Sequence, residues 1–466
     1  MNILIVSENF IKGGLETHIN TYYNLMDKRK NNVIFAFSKY EDNGYLKGAT
    51  IYKNFNFDFN SSIDDFISDV DRLVSIIKKH KIDVVQVHPF YSFFPALFAA
   101  KITNTKFIYT YHGYGSINFV HAMTDSLLFS FAIEYGIDKI FCVTENVIEN
   151  FREFHNSNVI FMPNIIDENI FIEHKVSLKK RWALISRLDY DKYSSIVKFL
   201  SLLPELDIDF VDIYGSGTML DECKKFVKKN KLDKKVKFMG FKSNLFNELN
   251  DYTGTIGIGR VTLESLCMNY PSILIGYNRV VGVIDSNIYN AVKHFNFVPF
   301  TLKDIDTNDF NKDLKKINEG EFSRYQLRDD VIKDFGTSNI KYYIDELNNT
   351  ASISLSIFTD VYNKFKNMYD KSQFFYTSYE IFSIVFNNLS SFSRNLYFKE
   401  ISNSYSYIYG ILSKQEELEN DLSMLKGHIV SQNAQIVSLE KQISDYKKGK
   451  LYVLCKKIYR RIIKRK

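Results

Sequence analysis

The chain of 466 residues is long enough for two or three domains, each with its own core, and its 45% apolar and 24% charged content is ordinary for a soluble globular protein. No run of about 18 uninterrupted apolar residues occurs, which excludes a transmembrane helix on sequence grounds, and the four cysteines (Cys142, Cys223, Cys267, Cys455) lack the spacing of a metal site. The net charge of +6 is uneven: residues 447–466 hold ten Lys or Arg and no acid, so the other 446 residues sum to −4.

Met1 runs directly into "NILIVSE", a buried-strand pattern, so no signal peptide is expected. With three cysteines in apolar patterns, the expected compartment is a reducing cytoplasm. Further strands are predicted at 31–38, 83–88, 106–112, 139–144 and 158–163. Between two of them a helical face carries Ile63, Phe66, Ile67, Val70, Val74 and Ile77. Near-continuous apolar strands separated by helices predict a parallel sheet covered on both faces. A polar linker falls near Asp167 to Lys180, and the rhythm then restarts with strands at 182–188, 208–215, 235–240, 254–259 and 271–276. Two doubly wound units in tandem imply a cleft, with ligand at the carboxyl ends of the strands.

After Pro299 no proline follows, and residues 338–400 read as helical and rich in aromatics. Leu418, Leu422, Leu425, Ile429, Gln432, Ile436, Leu439 and Ile443 then repeat at alternating spacings of four and three. That is a heptad seam with one polar position, which predicts a coiled coil; the competing reading is one long helix packed on its own domain. The expected divisions are 1–167 and 168–349 (two Rossmann-like domains), 350–410 (helical, aromatic-rich), 411–446 (coiled coil) and 447–466 (basic tail).

Four constellations sit at predicted strand ends. In "SENFIKGGLETH", Gly13 and Gly14 let backbone N–H groups approach a phosphate at a helix N-terminus, or simply make a tight turn. In "YTYHGYG", His112 ends a strand and faces the cleft. In "ISRLDYDK", Arg187 and Lys192 can converge on a diphosphate, where charge-assisted hydrogen bonds contribute about 1.5–3 kcal/mol each. The plainer reading there is a solvated loop with Arg187 paired to Asp189 or Asp191. In "GTIGIGRVTLESLCMNYPSILIG", Glu264 opens a helix and suits ribose hydroxyls, or merely the helix dipole, and Arg260 adds a cation in the loop.

The order of these motifs resembles the retaining glycosyltransferases of family 4, which have the GT-B fold. The resemblance spans roughly residues 1–350 and rests on "GGLETH", the "HG", "VTENVIENF" with "MPNIIDENIF", "SRLDYDK", "IYGSGTM", "VKFMGF" and "LESLCMNYPSILIG". It implies transfer of a sugar from a nucleotide-sugar donor with retention; the basic tail adds the expectation of a glycan or lipid-linked acceptor in cell-surface polysaccharide synthesis. It further implies that Gly14 admits the donor phosphate or acceptor, that His112 contacts the transferred sugar, and that Arg187 and Lys192 bind the diphosphate and stabilise the departing charge. Glu264 would hold the ribose, while Gly215, Gly217 and the backbone at Phe241 would shape the nucleotide pocket. No metal or other cofactor is implied, because the two cations replace a divalent ion; Asp207 and Asp209 are not read as a metal pair.

One departure stands out: many members of the family carry a Glu eight residues before Glu264, and Ile256 stands there. Arg260 is expected to compensate, giving an active site with altered donor-sugar recognition. The competing functional reading is a catalytically silent scaffold acting through its coiled coil; a sugar-nucleotide epimerase lacks identifiable acid and base groups.

In the tail, Leu451, Val453, Leu454, Ile458, Tyr459, Ile462 and Ile463 alternate with the ten cations. That pattern predicts an interfacial helix on an anionic bilayer, at about 1 kcal/mol per well-placed cation, and so a peripheral location at the inner face of the plasma membrane. Nucleic acid is not an expected partner, since no recognition module accompanies the run; oligomerisation is expected through 411–446. Deleting residues 447–466 is expected to release the protein from membrane fractions, and a truncated form that still sediments with lipid would contradict the anchor.

Overall fold

The computed structural model describes residues 1–399, apart from residues 12, 27–29, 43, 114–122, 152–157, 243–244 and 397. The expected coiled coil and basic tail lie outside the described residues.

The first sheet has seven strands: β1 (Asn2–Phe10), β2 (Asn32–Tyr40), β3 (Thr50–Tyr52), β4 (Val84–Val87), β5 (Lys106–Tyr111), β6 (Lys139–Cys142) and β7 (Val159–Phe161). Their order is β3-β2-β1-β4-β5-β6-β7, and every pairing is parallel. The strands are buried on both faces, which is why their sequences read as unbroken apolar runs rather than alternating ones. Helices α1 (Gly14–Leu25), α2 (Ile63–His80), α3 (Phe93–Ile102) and α4 (Met123–Tyr135) make the connections. Helix α2 has a complete capping box between Ser62 and Asp65. It buries Ile63, Phe66, Val70, Leu73 and Ile77 at spacings of three and four; Ile67 and Val74, expected on that face, lie at its margins.

The second sheet holds β8 (Arg181–Ile185), β9 (Phe210–Tyr214), β10 (Val236–Gly240), β11 (Gly254–Gly257), β12 (Ser272–Gly276) and β13 (Arg279–Val283) in the order β10-β9-β8-β11-β12-β13. All pair in parallel except β12 with β13. These last two form a hairpin closed by Tyr277 and Asn278, both at positive φ (51° and 60°), as a two-residue loop of the favoured twist requires. Helices α5 (Tyr190–Leu202), α6 (Leu220–Lys229) and α7 (Arg260–Cys267) follow β8, β9 and β11. In each sheet the chain winds outward one way from β1 or β8 and then the other way from β4 or β11, which places a switch point at the carboxyl ends of those strands.

The chain continues through α8 (Ser286–Val292), α9 (Thr307–Asn318) and α10 (Arg328–Phe335) of the second domain, then returns to the first. Helix α11 (Ile340–Asn349), expected with the second domain, places Tyr343 and Leu347 in the core of the first. There Tyr343 donates to Gln86, and Glu346 meets Lys139 at 2.6 Å. Helices α12 (Ile357–Lys366) and α13 (Tyr379–Phe386) continue this layer. Phe358 and Phe365 pack on Phe98, and Phe375 stacks on Phe66 with ring centroids 3.8 Å apart. The aromatic-rich stretch is thus the outer wall of the first domain as far as it is described.

A buried ion pair fastens that wall. Lys101 Nζ lies 2.6 Å from Asp138 Oδ2, with side chains 1% and 0% exposed. Asp138 also accepts the backbone N–H groups of Phe107 and Ile353. Asp138→Ala strands an ammonium and two N–H donors in an apolar setting and is expected to cost about 3–5 kcal/mol in denaturant unfolding. Asp251→Ala, whose partner Lys179 lies in water, should leave the midpoint nearly unmoved; equal effects would contradict the analysis.

Candidate active site

The switch points of the two sheets bring side chains from separate segments together. His88 directly follows β4, His112 directly follows β5, and His18 lies on α1. One ring nitrogen from each lies within 4.8 Å of the others. His88 Nδ1 is 2.8 Å from His112 Nε2, and the His18 and His112 rings meet edge to face at 4.8 Å. Burial holds all three imidazoles below their ordinary range, His112 at about 3; neighbouring imidazoles add to this for His18 and His88, and Arg260 for His18. The cluster is neutral at pH 7.

From here a polar path leads to the second domain. His18 Nδ1 is 2.8 Å from Asn164 Oδ1, and Asn164 donates to Asn296 Oδ1 at 2.9 Å. Beside it His294 Nδ1 lies 2.6 Å from Glu145 Oε1, with Phe161 stacked on the imidazole.

Arg260 occupies the same seam. It is the first residue of α7, following Gly259 at φ 67°. Its guanidinium, 8% exposed, donates to Glu264 Oε1 (2.8 Å) and, across the seam, to Thr21 Oγ1 on α1 (2.9 Å), with the carbonyl of Ile165 at 3.5 Å. The loop cation expected from sequence is therefore a buried, fully engaged side chain joining both domains. Glu264 lies one turn inside the helix rather than opening it, so the dipole reading does not apply. Burial raises its carboxyl above the usual range, and Arg260 offsets part of the rise. Ile256 points away from this seam into the apolar core with Trp182, Leu184 and Ile273, fully buried. A carboxylate on this backbone would enter the core, so Ile256 leaves no gap in the cleft wall.

Arg187 and Lys192 sit together at the carboxyl end of β8. Arg187, 61% exposed, reaches Asp189 at 3.0 Å and Asp191 at 3.5 Å, and Lys192 reaches Asp191 at 3.2 Å. The Arg–Asp pairing foreseen as the plainer reading is thus present, and it also gathers both cations on one carboxylate. Lys192 Nζ further lies 5.7 Å from the Tyr277 ring. Gly215 and Gly217 act on this loop from behind. Both have positive φ (149° and 156°), and a Cβ would run into the carbonyls of Ser186 and Leu188 respectively. The close approach carries the bonds Leu188 N–H to Ser216 O (2.9 Å) and Met219 N–H to Leu188 O (2.7 Å). Phe241, half exposed, follows Gly240, whose carbonyl accepts from Gly215. Gly14 begins α1 with open space where a Cβ would stand.

Sequence reasoning singled out His112 and missed His18, His88, Asn164, Asn296 and Thr21. His18 lies inside "GGLETH" and His88 at the end of a predicted strand, but only the β1-β4-β5 adjacency brings them to one place.

Because the folded cluster takes up no proton where the unfolded chain does, its stabilising contribution is full above about pH 6.5. It is lost as pH falls, by about 1.4 kcal/mol per unit for each imidazole; for His112 the loss continues to about pH 3. Asp69, raised to about 7, and Glu264 act in the opposite sense. They are common to wild type and His88→Asn and cancel in the difference. Unfolding free energy is therefore expected to fall less steeply below about pH 6.5 in His88→Asn, by up to about 1.4 kcal/mol per unit; parallel curves would contradict a neutral His88.

Residues 12–170 match the sequence profile of Glycosyltransferase Family 4. A stretch of 160 residues, 32% of this chain, is 26% identical to 24% of the poly(glycerol-phosphate) alpha-glucosyltransferase of Bacillus subtilis (strain 168), so the match spans about a quarter of that relative. Among solved structures, Anabaena HepE in complex with UDP and glucose superposes with a TM-score of 0.58 at 14% identity, over 75% of this chain and all of that one. Sucrose-phosphate synthase from Thermosynechococcus elongatus gives 0.57 at 13% identity (74% and 98% covered). S. aureus TarM, solved with UDP and alpha-GlcNAc-glycerol, gives 0.55 at 11% (75% and 99% covered). Over residues 12–170 this chain is thus similar in sequence to glycosyltransferase family 4, and the two-sheet frame that carries that stretch has the GT-B fold.

Proposed function

We propose that the protein is a retaining glycosyltransferase that moves a sugar from a nucleotide-sugar donor to a glycan or lipid-linked acceptor in cell-surface polysaccharide synthesis. The observation that carries this reading is that each sheet has a switch point with polar groups at its strand ends. A paired-cation loop follows β8 in the second sheet and a neutral imidazole cluster follows β4 and β5 in the first, and the Arg260–Thr21 and Asn164–Asn296 bonds join the two domains. The diphosphate enters the Arg187–Lys192 loop by displacing Asp191, a modest cost for a half-exposed carboxylate. The two cations then stabilise the charge that develops on the leaving diphosphate without calling on a metal ion. His112 faces the transferred sugar. Glu264 takes the ribose through the oxygen that Arg260 does not hold.

The complexes of HepE with UDP and glucose and of TarM with UDP and alpha-GlcNAc-glycerol support a nucleotide-sugar donor and a glycan-type acceptor. No helix among the described residues is long and apolar enough to cross a membrane, which is compatible with peripheral attachment through 447–466. Because Arg260 ties Glu264 to α1, recognition of the donor is coupled to domain contact.

Binding of UDP-, GDP- and other nucleotide sugars to the full chain tests the reading. Selective binding of one donor is expected, weakened at least about tenfold in Arg187→Ala/Lys192→Ala through loss of charge-assisted hydrogen bonds. No binding by folded wild-type protein, or equal binding by the double variant, would contradict it.

A further inference from the structure

Parallel sheets are ordinarily covered on both faces, and the second sheet departs from this at one corner. Trp182, Leu184, Val211, Ile213 and Val236 turn to the apolar core, so the alternate residues Arg181, Phe210, Asp212 and Lys237 share the other face. The strand register sets Arg181 beside Phe210 and Asp212 beside Lys237. The short helical segment Leu245–Asp251 packs over Ala183 and Tyr214 further along these strands. It leaves the corner open, with Phe210 46% exposed. Lys179, Arg181, Phe210, Asp212 and Lys237 line a pocket of about 430 Å³ there, within the ~300–1,000 Å³ range of small-molecule sites. It lies over the amino-terminal part of β8, β9 and β10, whereas the Arg187–Lys192 loop follows the carboxyl end of β8.

Some polar atoms of this pocket are engaged and others are not. Asp212 Oδ2 accepts from Arg181 Nε and from the Tyr252 hydroxyl, each at 2.6 Å, and Tyr252 in turn accepts from Tyr214 at 2.8 Å. Asp212 Oδ1, Arg181 Nη1 and the Lys237 ammonium hold no hydrogen bond or ion pair among the described residues. Asp212 compensates Arg181, and the exposed Asp251 compensates Lys179 at 2.6 Å, so Lys237 is the charge left over. A matching ligand therefore brings one negative group to Lys237, donates a hydrogen bond to Asp212 Oδ1, and lays an apolar face on Phe210. A bare anion offers no apolar face. An ammonium ligand meets an Asp212 that Arg181 already neutralises, with Lys179 and Lys237 beside it. A sugar ring with one acidic substituent has all three features: hydroxyls that donate, a C–H face and a single charge.

We propose that this corner of the second sheet is a further binding site, for an acidic saccharide: Lys237 takes the charged substituent, Asp212 Oδ1 accepts from a hydroxyl, and Phe210 carries the ring face. Arg181 and Tyr252 fix the carboxylate of Asp212 so that one oxygen faces the pocket. The site is separate from the nucleotide-sugar cleft, and binding there does not depend on the donor reading. Taken with the proposed transfer, it would hold an acidic glycan outside the cleft while another part of the same glycan reacts.

The test is saturation-transfer NMR on the full chain with D-glucuronate, glucose 6-phosphate and D-glucose as probes. The Arg187→Ala/Lys192→Ala variant serves as background, which silences anion binding at the β8 loop. At least one acidic sugar is expected to bind in both wild type and background, about tenfold more tightly than D-glucose through its charge-assisted bond. In the background, Lys237→Ala should bring the acidic sugars down to the level of D-glucose, and Phe210→Ala should weaken all three probes. Both side chains are open to solvent, so neither change threatens the fold. A preference for D-glucuronate assigns the charge to a carboxylate and one for glucose 6-phosphate to a phosphate; either supports the proposal. No transfer to any probe overturns it. So does binding that is lost in the background, or binding there that survives both Lys237→Ala and Phe210→Ala. Inorganic phosphate that binds as tightly as glucose 6-phosphate, with D-glucuronate not bound, would also overturn it, by leaving an anion site without sugar recognition. Failure of the wild type to bind any nucleotide sugar strikes the donor reading and leaves this site standing.

Discussion

The guanidinium of Arg260 lies at the seam between the two domains with three partners: Glu264 on its own helix, Thr21 on the first helix of the other domain, and the carbonyl of Ile165 in the segment that joins them. A charge this deeply buried is tolerable only while its partners are in place, because removing one leaves a desolvated cation uncompensated. The position of the second domain against α1 is thereby tied to the state of Glu264. The neighbouring links, Asn164 with Asn296 and Glu145 with His294, run across the same seam and depend on the same closure.

This constraint explains the departure at Ile256. The residue is core-facing and packs with Trp182 and Leu184, so its identity is fixed by the second domain's apolar interior. Arg260 follows β11 directly, and the backbone turn at Gly259 delivers it into the seam. Arg260, expected from sequence to make a phosphate or sugar contact, is held in the seam by Glu264 and Thr21, while Arg187 in the β8 loop is open to solvent.

The sequence disclosed the two-sheet architecture because strands buried on both faces cannot hide: Ile3 to Val6, Val84 to Val87 and Phe107 to Tyr111 are apolar but for Gln86 and Thr110, which hydrogen-bond to each other. It did not disclose β3, three residues at a sheet edge, or β13, whose hairpin loop is Tyr-Asn rather than a glycine-bearing pair. The return of α11 to the first domain was equally hidden, since an amphipathic face shows that a helix is packed but not which core receives Tyr343 and Leu347. Within the candidate site, the placement of Arg187 and Lys192 in one loop and of Gly215 and Gly217 behind it was legible because local turns fix their spacing. The partners of His112 were not, because His18 and His88 are 70 residues apart in sequence and join only through the parallel register of β1, β4 and β5. The bonds of Arg260 to Glu264 and Thr21 were hidden because a sequence shows a charge without its partners.

The claim on which these points converge is that one nucleotide site spans the β8 loop and α7 and is completed by the seam. The most direct measurement is a crystal structure of the full chain with UDP. The account predicts the diphosphate on Arg187 and Lys192 with Asp191 displaced, the ribose on Glu264, and Arg260 still bonded to Glu264 and Thr21. UDP bound elsewhere, or bound at the β8 loop with Glu264 turned away from the ribose, would contradict it.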